Sequence, residues 1–273
     1  MHTPDGRPGS PRQEAARDAG WFLRPGGAGA APVRLVCLPY AGGSGAVFRN
    51  WAAGLDGAAE VHALTLPGHA HRWRQPLAED LHRLADDIAD VTAPLQDERP
   101  LVLLGYSLGG LLAFEVARRL NRRGRAPELL IAAACPPPGL LPEGRNRHTL
   151  PDREFIALLR QMGATPEAIL DEPEMIGLLL PMLRADFALS ERYRYTPGKP
   201  LPTPIVTVGG SDDPEIAPAA MASWAEETTL SLTQIVLAGG HLFIHEDEAG
   251  LLAHIRDAVR TVANAPARDG VRF

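Results

Sequence analysis

The chain contains 273 residues, of which 45% are hydrophobic, and this is enough for one large domain with a substantial core. A formal net charge of −6 argues against a strongly cationic nucleic-acid surface, and no apolar run approaches the ~20 residues that a bilayer-spanning helix needs. With no recognisable signal peptide or cysteine framework, the sequence predicts a cytoplasmic, soluble monomer without a membrane or nucleic-acid partner.

The two ends of the chain differ in composition from its middle. Residues 1–31 are rich in Gly, Pro, Ala and Arg and lack periodicity, which predicts a flexible leader. We expect one domain over residues 32–264 and a loose tail over residues 265–273.

Cys37 and Cys135 lie within apolar runs, so both thiols are predicted to be buried as small hydrophobic side chains.

Within the predicted domain, short apolar runs alternate with amphipathic segments. Nearly continuous apolar runs are typical of strands that are buried on both faces of a parallel sheet. The predicted strands, in chain order, are Val33–Leu38, Val61–Leu66, Leu101–Gly105, Leu129–Ala134, Ile205–Val208 and Gln234–Leu237.

Two segments between these strands have a helical period. Leu77–Leu95 carries apolar residues three or four positions apart, and Leu108–Arg123 is a second apolar helix with Gly124 as its predicted C-cap. Alternating strands and helices predict a mostly parallel central sheet with helices on both faces.

Residues 139–200 interrupt the alternation, because they contain helical patterns and no strand. The segment follows the carboxyl end of a predicted strand, which is where such sheets bind their ligands. It therefore predicts a helical lid inserted above the site. The alternative, in which these helices only cover the sheet, stays open.

A candidate nucleophile lies between the third predicted strand and the second helix. Gly105-Tyr106-Ser107-Leu108-Gly109 matches G-x-S-x-G in the strand–turn–helix context of the nucleophile elbow of α/β-hydrolases. The turn is sharp, so residues without a Cβ are needed beside the serine. Ser107 is therefore the predicted nucleophile of an α/β-hydrolase fold.

A serine hydroxyl needs a base, and in this fold the chain order is serine, acid, histidine. Gly209-Gly210-Ser211-Asp212-Asp213-Pro214 follows one late strand and Ala238-Gly239-Gly240-His241 follows the next. His241 is the predicted general base and Asp213 the predicted acid that orients it. The spacing also admits Asp212 as the acid.

Acyl transfer also requires N–H groups that stabilise an oxyanion. Leu108, after the nucleophile, supplies one candidate amide. The glycine-rich loop that follows the first strand supplies the other, at Ala41 or at Gly42. Neither a phosphate-binding glycine pattern nor metal-ligand spacing occurs, so we expect no cofactor and no metal ion.

The chain resembles the stand-alone type II thioesterases that accompany polyketide synthases and non-ribosomal peptide synthetases. The resemblance runs from about Val33 to Val262. It rests on the segments LPYAGGSGAVFRNW, LPGHAHR, LLGYSLGGLLAFEVAR, LPDREFIALLRQMGATPEAIL, LLPMLRADFALSERYRY, GGSDDP and AGGHLFIHE. Members often carry His and Met beside the serine, where this chain has Tyr106 and Leu108, and Arg where it has His69.

The resemblance implies an editing thioesterase that hydrolyses aberrant or stalled acyl groups from the phosphopantetheine arm of carrier proteins. It implies Ser107, Asp213 and His241 as nucleophile, acid and base, with acyl or peptidyl carrier domains as partners. Three alternatives remain: an esterase or lipase of free small-molecule esters, a cyclising thioesterase, and a non-enzymatic protein that kept the fold.

Docking of a carrier protein would require a local patch of arginines, since carrier domains tend to be acidic and the chain itself is acidic overall. One candidate patch is Arg72 and Arg74 with Trp73. The other consists of four arginines of the second helix, and a solvated helix face explains them equally well: Arg118, Arg119, Arg122 and Arg123.

Overall fold

The computed structural model describes residues 20–27, 29–142 and 144–265. Within these residues seven strands form one sheet in the spatial order β1-β3-β2-β4-β5-β6-β7. Strand β1 pairs antiparallel with β3, and the other neighbouring pairs are parallel. The strands are β1 Phe22–Leu23, β2 Val33–Leu38, β3 Ala59–Leu64, β4 Leu101–Tyr106, β5 Leu129–Ala133, β6 Ile205–Gly210 and β7 Leu232–Leu237.

Helices cover both faces of the sheet, as the alternating pattern predicts. The α-helices of the described residues are α1 Trp51–Gly54, α2 Leu81–Thr92, α3 Leu108–Arg122, α4 Asp152–Met162, α5 Glu167–Leu170, α6 Pro173–Arg192, α7 Phe243–Glu246 and α8 Glu248–Asn264, of which α4, α5 and α6 belong to the insert between β5 and β6. Helices α2 and α3 pack on one face of the sheet. Helices α1, α7 and α8 pack on the other. The two faces alternate along β2, where Val36 and Leu38 contact one layer and Leu35 and Cys37 contact the other. The predicted α/β fold is confirmed.

The six predicted strands are present, with shifts at their ends. Strand β3 begins at Ala59, two residues earlier than predicted, and ends at Leu64. The pattern did not predict a strand at Ala59 because the next residue, Glu60, is charged, and a carboxylate rarely lies inside a buried strand. Here its charge is matched by Arg99, whose Nη1 donates to Glu60 Oε2 at 2.7 Å.

Helix α2 begins at Leu81 instead of the predicted Leu77. The reason is a local cap, since Asp80 has an extended backbone and its Oδ1 accepts a hydrogen bond from the Arg83 amide at 2.7 Å. The apolar spacing continues upstream of this cap because residues 77 and 78 pack without being helical.

The predicted leader is wrong for Phe22 and Leu23, which form β1 opposite Leu64 and Ala63 of β3. Two residues are too short a run to produce a periodic signal, and a long-range pairing supplies the strand instead. Arg72 lies 3.7 Å above the Trp21 ring and holds the same segment against the domain. Residues 1–19 and 266–273 lie outside the described residues, so the leader and tail predicted there stay predictions.

The insert between β5 and β6 contains α4, α5 and α6 and has a small core of its own. Ala41, in the loop after β2, packs against this core. The insert is joined to α3 by the Tyr193 hydroxyl, which donates to Glu115 Oε1 at 2.9 Å. The helical insert predicted for residues 139–200 thus lies beside residues 39–45, the loop after β2 that carries the candidate oxyanion donors and is called the oxyanion loop. The role of the insert as a lid stays a prediction.

Both cysteines are buried free thiols. No helix among the described residues is long and apolar enough to cross a bilayer.

Candidate active site

Ser107 occupies a strained turn between β4 and α3, with φ 53° and ψ −115°. A non-glycine residue is rarely found in this region, and such strain clusters at functional sites. Glycines permit the turn: a Cβ at Gly105 would lie 1.9 Å from the Gly109 oxygen, and one at Gly109 would lie 2.2 Å from the Leu38 oxygen. The backbone crossing is therefore possible only without side chains.

The structure brings the three predicted catalytic residues together. Ser107 Oγ lies 3.1 Å from His241 Nε2, and His241 Nδ1 lies 2.8 Å from Asp213 Oδ2. A carboxylate only accepts hydrogen bonds, so Nδ1 carries the ring proton and Nε2 is free to accept from the serine hydroxyl. This arrangement can transfer a proton from the hydroxyl to the imidazole.

Asp213 and Asp212 occupy different environments. The Asp213 side chain is 1% exposed, and its Oδ1 accepts from the amides of Glu215 at 2.8 Å and Ile216 at 3.2 Å. Asp212 is exposed, and its Oδ2 accepts from the Ser211 hydroxyl at 2.8 Å. Only Asp213 is fixed on both oxygens and aimed at His241, so the geometry separates two residues that the spacing left open.

Tyr106, the residue before the nucleophile, holds the segment that carries His241, a role that the sequence did not reveal. Its hydroxyl donates to the His241 carbonyl at 2.5 Å and accepts from the Ile244 amide at 3.4 Å. Burial raises the pKa of Tyr106 well above its ordinary value, so the phenol stays protonated and able to donate. The ring also packs against Phe243, with ring centroids 5.1 Å apart.

Replacing Tyr106 by phenylalanine is expected to lower the free energy of unfolding by about 1–2 kcal/mol, because the partly buried His241 carbonyl loses its donor. Urea denaturation measures this change. Tyr40→Phe is the matched control, since its hydroxyl contacts His245 Nε2 at 2.7 Å in an exposed position. A loss for Tyr106→Phe no larger than for Tyr40→Phe would contradict the anchoring role.

The two oxyanion candidates in the loop after β2 differ in their partners. The Gly42 amide donates to Asp186 Oδ2 of helix α6 at 2.7 Å. The Ala41 amide has no acceptor among the described residues. Leu108 is the first residue of α3, a position whose N–H has no intrahelical partner. Ala41 and Leu108 therefore present free amides next to Ser107, whereas the Gly42 amide is already used.

A cavity of about 100 Å³ opens beside Ser107 and His241 beneath the insert. Its lining is mostly apolar and also includes charged side chains. The lining includes Ala41, Leu108, Leu111, Leu141, Met162, Phe187, Ile216, Arg145, Arg147 and Glu215. A wider groove reaches His241 from the outside, between the end of helix α4 and the loops after β6 and β7. No cluster in the described part of the chain has the ligands to hold a metal ion.

The predicted arginine patches are largely engaged within the protein. Arg72 is buried and its Nη1 donates to the Thr65 carbonyl at 2.7 Å. Arg119 is also buried and pairs with Glu115 at 2.6 Å. The prediction that Arg72 and Arg119 are docking contacts is therefore wrong, because both side chains are buried. Trp73 is 65% exposed with Arg74 4.8 Å above its ring, so this pair remains a candidate surface.

The sheet is mostly parallel, and the serine lies on a strained turn between a central strand and a helix. An aspartate and a histidine follow in chain order, at the ends of later strands, and both join the serine in one hydrogen-bonded array. These features define an α/β-hydrolase. The family model of the thioesterase domain matches residues 33–259. The chain belongs to this family and is a hydrolase of thioesters.

Relatives support the same assignment. The chain is 34% identical over 247 residues to the thioesterase PikA5 of Streptomyces venezuelae, covering 90% of this chain and 88% of that protein. It is 31% identical to the gramicidin S biosynthesis protein GrsT of Aneurinibacillus migulanus, covering 89% and 94%. The structure of the type II thioesterase BorB from the borrelidin biosynthetic cluster superposes with a TM-score of 0.81 at 34% identity, covering 88% and 98%. The predicted resemblance to type II thioesterases is confirmed.

Proposed function

We propose that this enzyme hydrolyses aberrant or stalled acyl groups from the phosphopantetheine arm of acyl or peptidyl carrier proteins in polyketide or non-ribosomal peptide biosynthesis. The observation that carries the proposal is the alignment of Ser107, His241 and Asp213 beside a cavity covered by the helical insert. Membership of the thioesterase family supports the substrate class, as does the similarity to the gramicidin S biosynthesis protein GrsT and to BorB from the borrelidin biosynthetic cluster.

The reaction begins when His241 Nε2 removes the Ser107 hydroxyl proton and Oγ attacks the thioester carbonyl. The Ala41 and Leu108 amides donate to the oxyanion that forms. The carbon–sulfur bond then breaks, and the arm thiol leaves with the proton from His241. A water molecule, deprotonated by His241, attacks the acyl-serine and releases the carboxylic acid and free Ser107. Asp213 orients the imidazole and stabilises its cationic form.

The proposed chemistry requires no cofactor or metal ion, because the side chains and amides supply nucleophile, base and oxyanion donors. The cavity beside Ser107 is the proposed acyl chamber. The groove that reaches His241 from outside is the proposed path of the phosphopantetheine arm. The carrier domain is expected to dock near its mouth, and the partners are expected to meet in the cytoplasm as monomeric enzyme and carrier.

The test is deacylation of acetyl-, propionyl- and longer acyl-carrier proteins, followed by intact-protein mass spectrometry. We expect wild type to remove the acyl mass, while Ser107→Ala leaves it in place. Nitrophenyl esters of the same acids provide the comparison substrate. Cleavage of these esters with survival of every carrier thioester would contradict the proposal and support an esterase of free esters.

A further inference from the structure

Three separate segments meet at one buried carboxylate oxygen. Asp186 Oδ2, on helix α6, accepts from the Gly42 amide at 2.7 Å and contacts His69 Nε2 at 2.8 Å. The side chains of Asp186 and His69 are each 2% exposed. We call Asp186, His69 and Gly42 the Asp186 cluster. It joins the insert to the oxyanion loop and to the loop after β3.

The cluster needs a protonated imidazole to satisfy its contacts. His69 Nδ1 lies 3.0 Å from the Pro67 carbonyl, so both ring nitrogens face oxygen acceptors. A neutral imidazole has only one N–H, whereas the imidazolium has two. Loss of the proton therefore places a nitrogen lone pair against an oxygen lone pair on one side of the ring.

The surroundings of His69 favour the charged form. Burial opposes protonation, but the hydrogen bond and the charge of Asp186 outweigh it and raise the pKa of His69 above its ordinary value. Among the described residues, the charged groups that face His69 are Asp186 from α6 and Arg72 from its own loop. Arg72 acts in the opposite direction, and its guanidinium is directed at the Thr65 carbonyl and the Trp21 ring.

The oxyanion loop depends on this contact because it approaches α6 very closely. Gly42 has φ +79°, and a Cβ there would lie 2.5 Å from Leu183 Cδ2 of α6. The loop backbone therefore rests against the helix and is fixed in orientation by the Asp186 bond. Gly42 directly follows Ala41, so the same bond sets the direction of residue 41 next to Ser107.

We propose that Asp186 and protonated His69 are positioning residues that orient the Ala41 amide toward the oxyanion. This orientation is lost when His69 loses its proton. This rests on the proposed function in one respect, the use of Ala41 as an oxyanion donor. A donor of this kind acts in the transition state, so its misplacement lowers kcat and leaves KM nearly unchanged.

The direction of the pH effect follows from the raised pKa. The cluster is complete below the pKa of His69 and is lost as pH rises through it. Wild-type kcat should therefore fall by about 10- to 100-fold as pH rises through the pKa of His69, less than the 10²- to 10³-fold effect of removing one oxyanion donor, because the amide is misplaced and not removed.

The experiment records kcat and KM across about pH 5 to pH 9, the range in which histidines titrate. It uses an acyl-carrier thioester and, in parallel, a nitrophenyl ester.

His69→Arg keeps a permanent charge and should abolish the alkaline fall. His69→Gln should have low kcat at every pH and no alkaline fall. Asp186→Asn should behave like His69→Gln, because the charge that holds the proton is gone. His71→Gln is the control, an exposed histidine of the same loop that bonds the Gly20 carbonyl, and should keep the wild-type profile.

Two outcomes would overturn the positioning role: an unchanged alkaline fall in His69→Arg, or variants that alter KM and not kcat. Thermal unfolding identifies any variant that does not fold, and NMR titration of the His69 ring in wild type then decides. A ring that loses its proton at or below the ordinary histidine value of about 6.5 contradicts the proposal. If carrier thioesters resist wild type while the ester is cleaved, the proposed function fails, and the ester profile still tests the cluster.

Discussion

Ser107→Ala is expected to lower kcat for thioester hydrolysis on the order of 10⁶-fold. The reason is that the acyl-serine intermediate can no longer form, and the residual rate comes only from binding and the oxyanion amides. The hydroxyl lies 3.1 Å from His241 Nε2, so nucleophile and base act as one unit. Single-turnover kinetics provides the rate, and mass spectrometry of the quenched enzyme shows an acyl adduct on wild type and none on the variant.

A second serine of the same cavity provides the control. Ser190 also lines the cavity, but its hydroxyl donates to the Phe187 carbonyl at 3.0 Å. Ser190→Ala is expected to retain kcat within about tenfold, since it loses only a helix-internal bond. The double variant Ser107→Ala with His241→Ala should be no slower than Ser107→Ala alone. A further large loss in the double variant would mean that His241 acts independently of Ser107.

The catalytic residues could be predicted because the fold constrains them through short, local patterns. Ser107 lies in a five-residue motif between an apolar strand and an apolar helix, and Asp213 and His241 follow later apolar strands. The carboxyl ends of neighbouring parallel strands lie at one edge of a sheet, so loops that are distant in sequence meet there. The structure places all three side chains within hydrogen-bonding distance.

The features that escaped prediction depend on contacts between distant segments. His69 and Asp186 are 117 positions apart, and Gly42 and Asp186 are 144 apart, so no local spacing marks them as a cluster. Strand β1 needs its partner β3 in order to form. Arg72 looked like a surface charge because a sequence does not show that a backbone carbonyl and an aromatic ring enclose its guanidinium.

The choice between neighbouring aspartates is the clearest case in which the fold adds information. Asp213→Asn is expected to lower kcat about 10⁴-fold, because an amide at this position no longer selects the tautomer with the proton on Nδ1. It also fails to stabilise the imidazolium that forms when His241 takes the serine proton. The effect should be large because the Asp213 side chain is 1% exposed and its Oδ1 is held by two amides. Steady-state kinetics on an acyl-carrier thioester measures it.

Asp212→Asn is the matched control, one residue away and chemically identical. Its carboxylate is exposed and bonded to Ser211, so kcat should change by no more than about twofold. If Asp212→Asn were the damaging change, the acid assignment would be reversed and the loop after β6 would have to rearrange during catalysis. Equal, modest effects of both substitutions would instead mean that neither carboxylate alone orients His241. The contrast between the two variants therefore tests the geometry of the site as well as the identity of its acid.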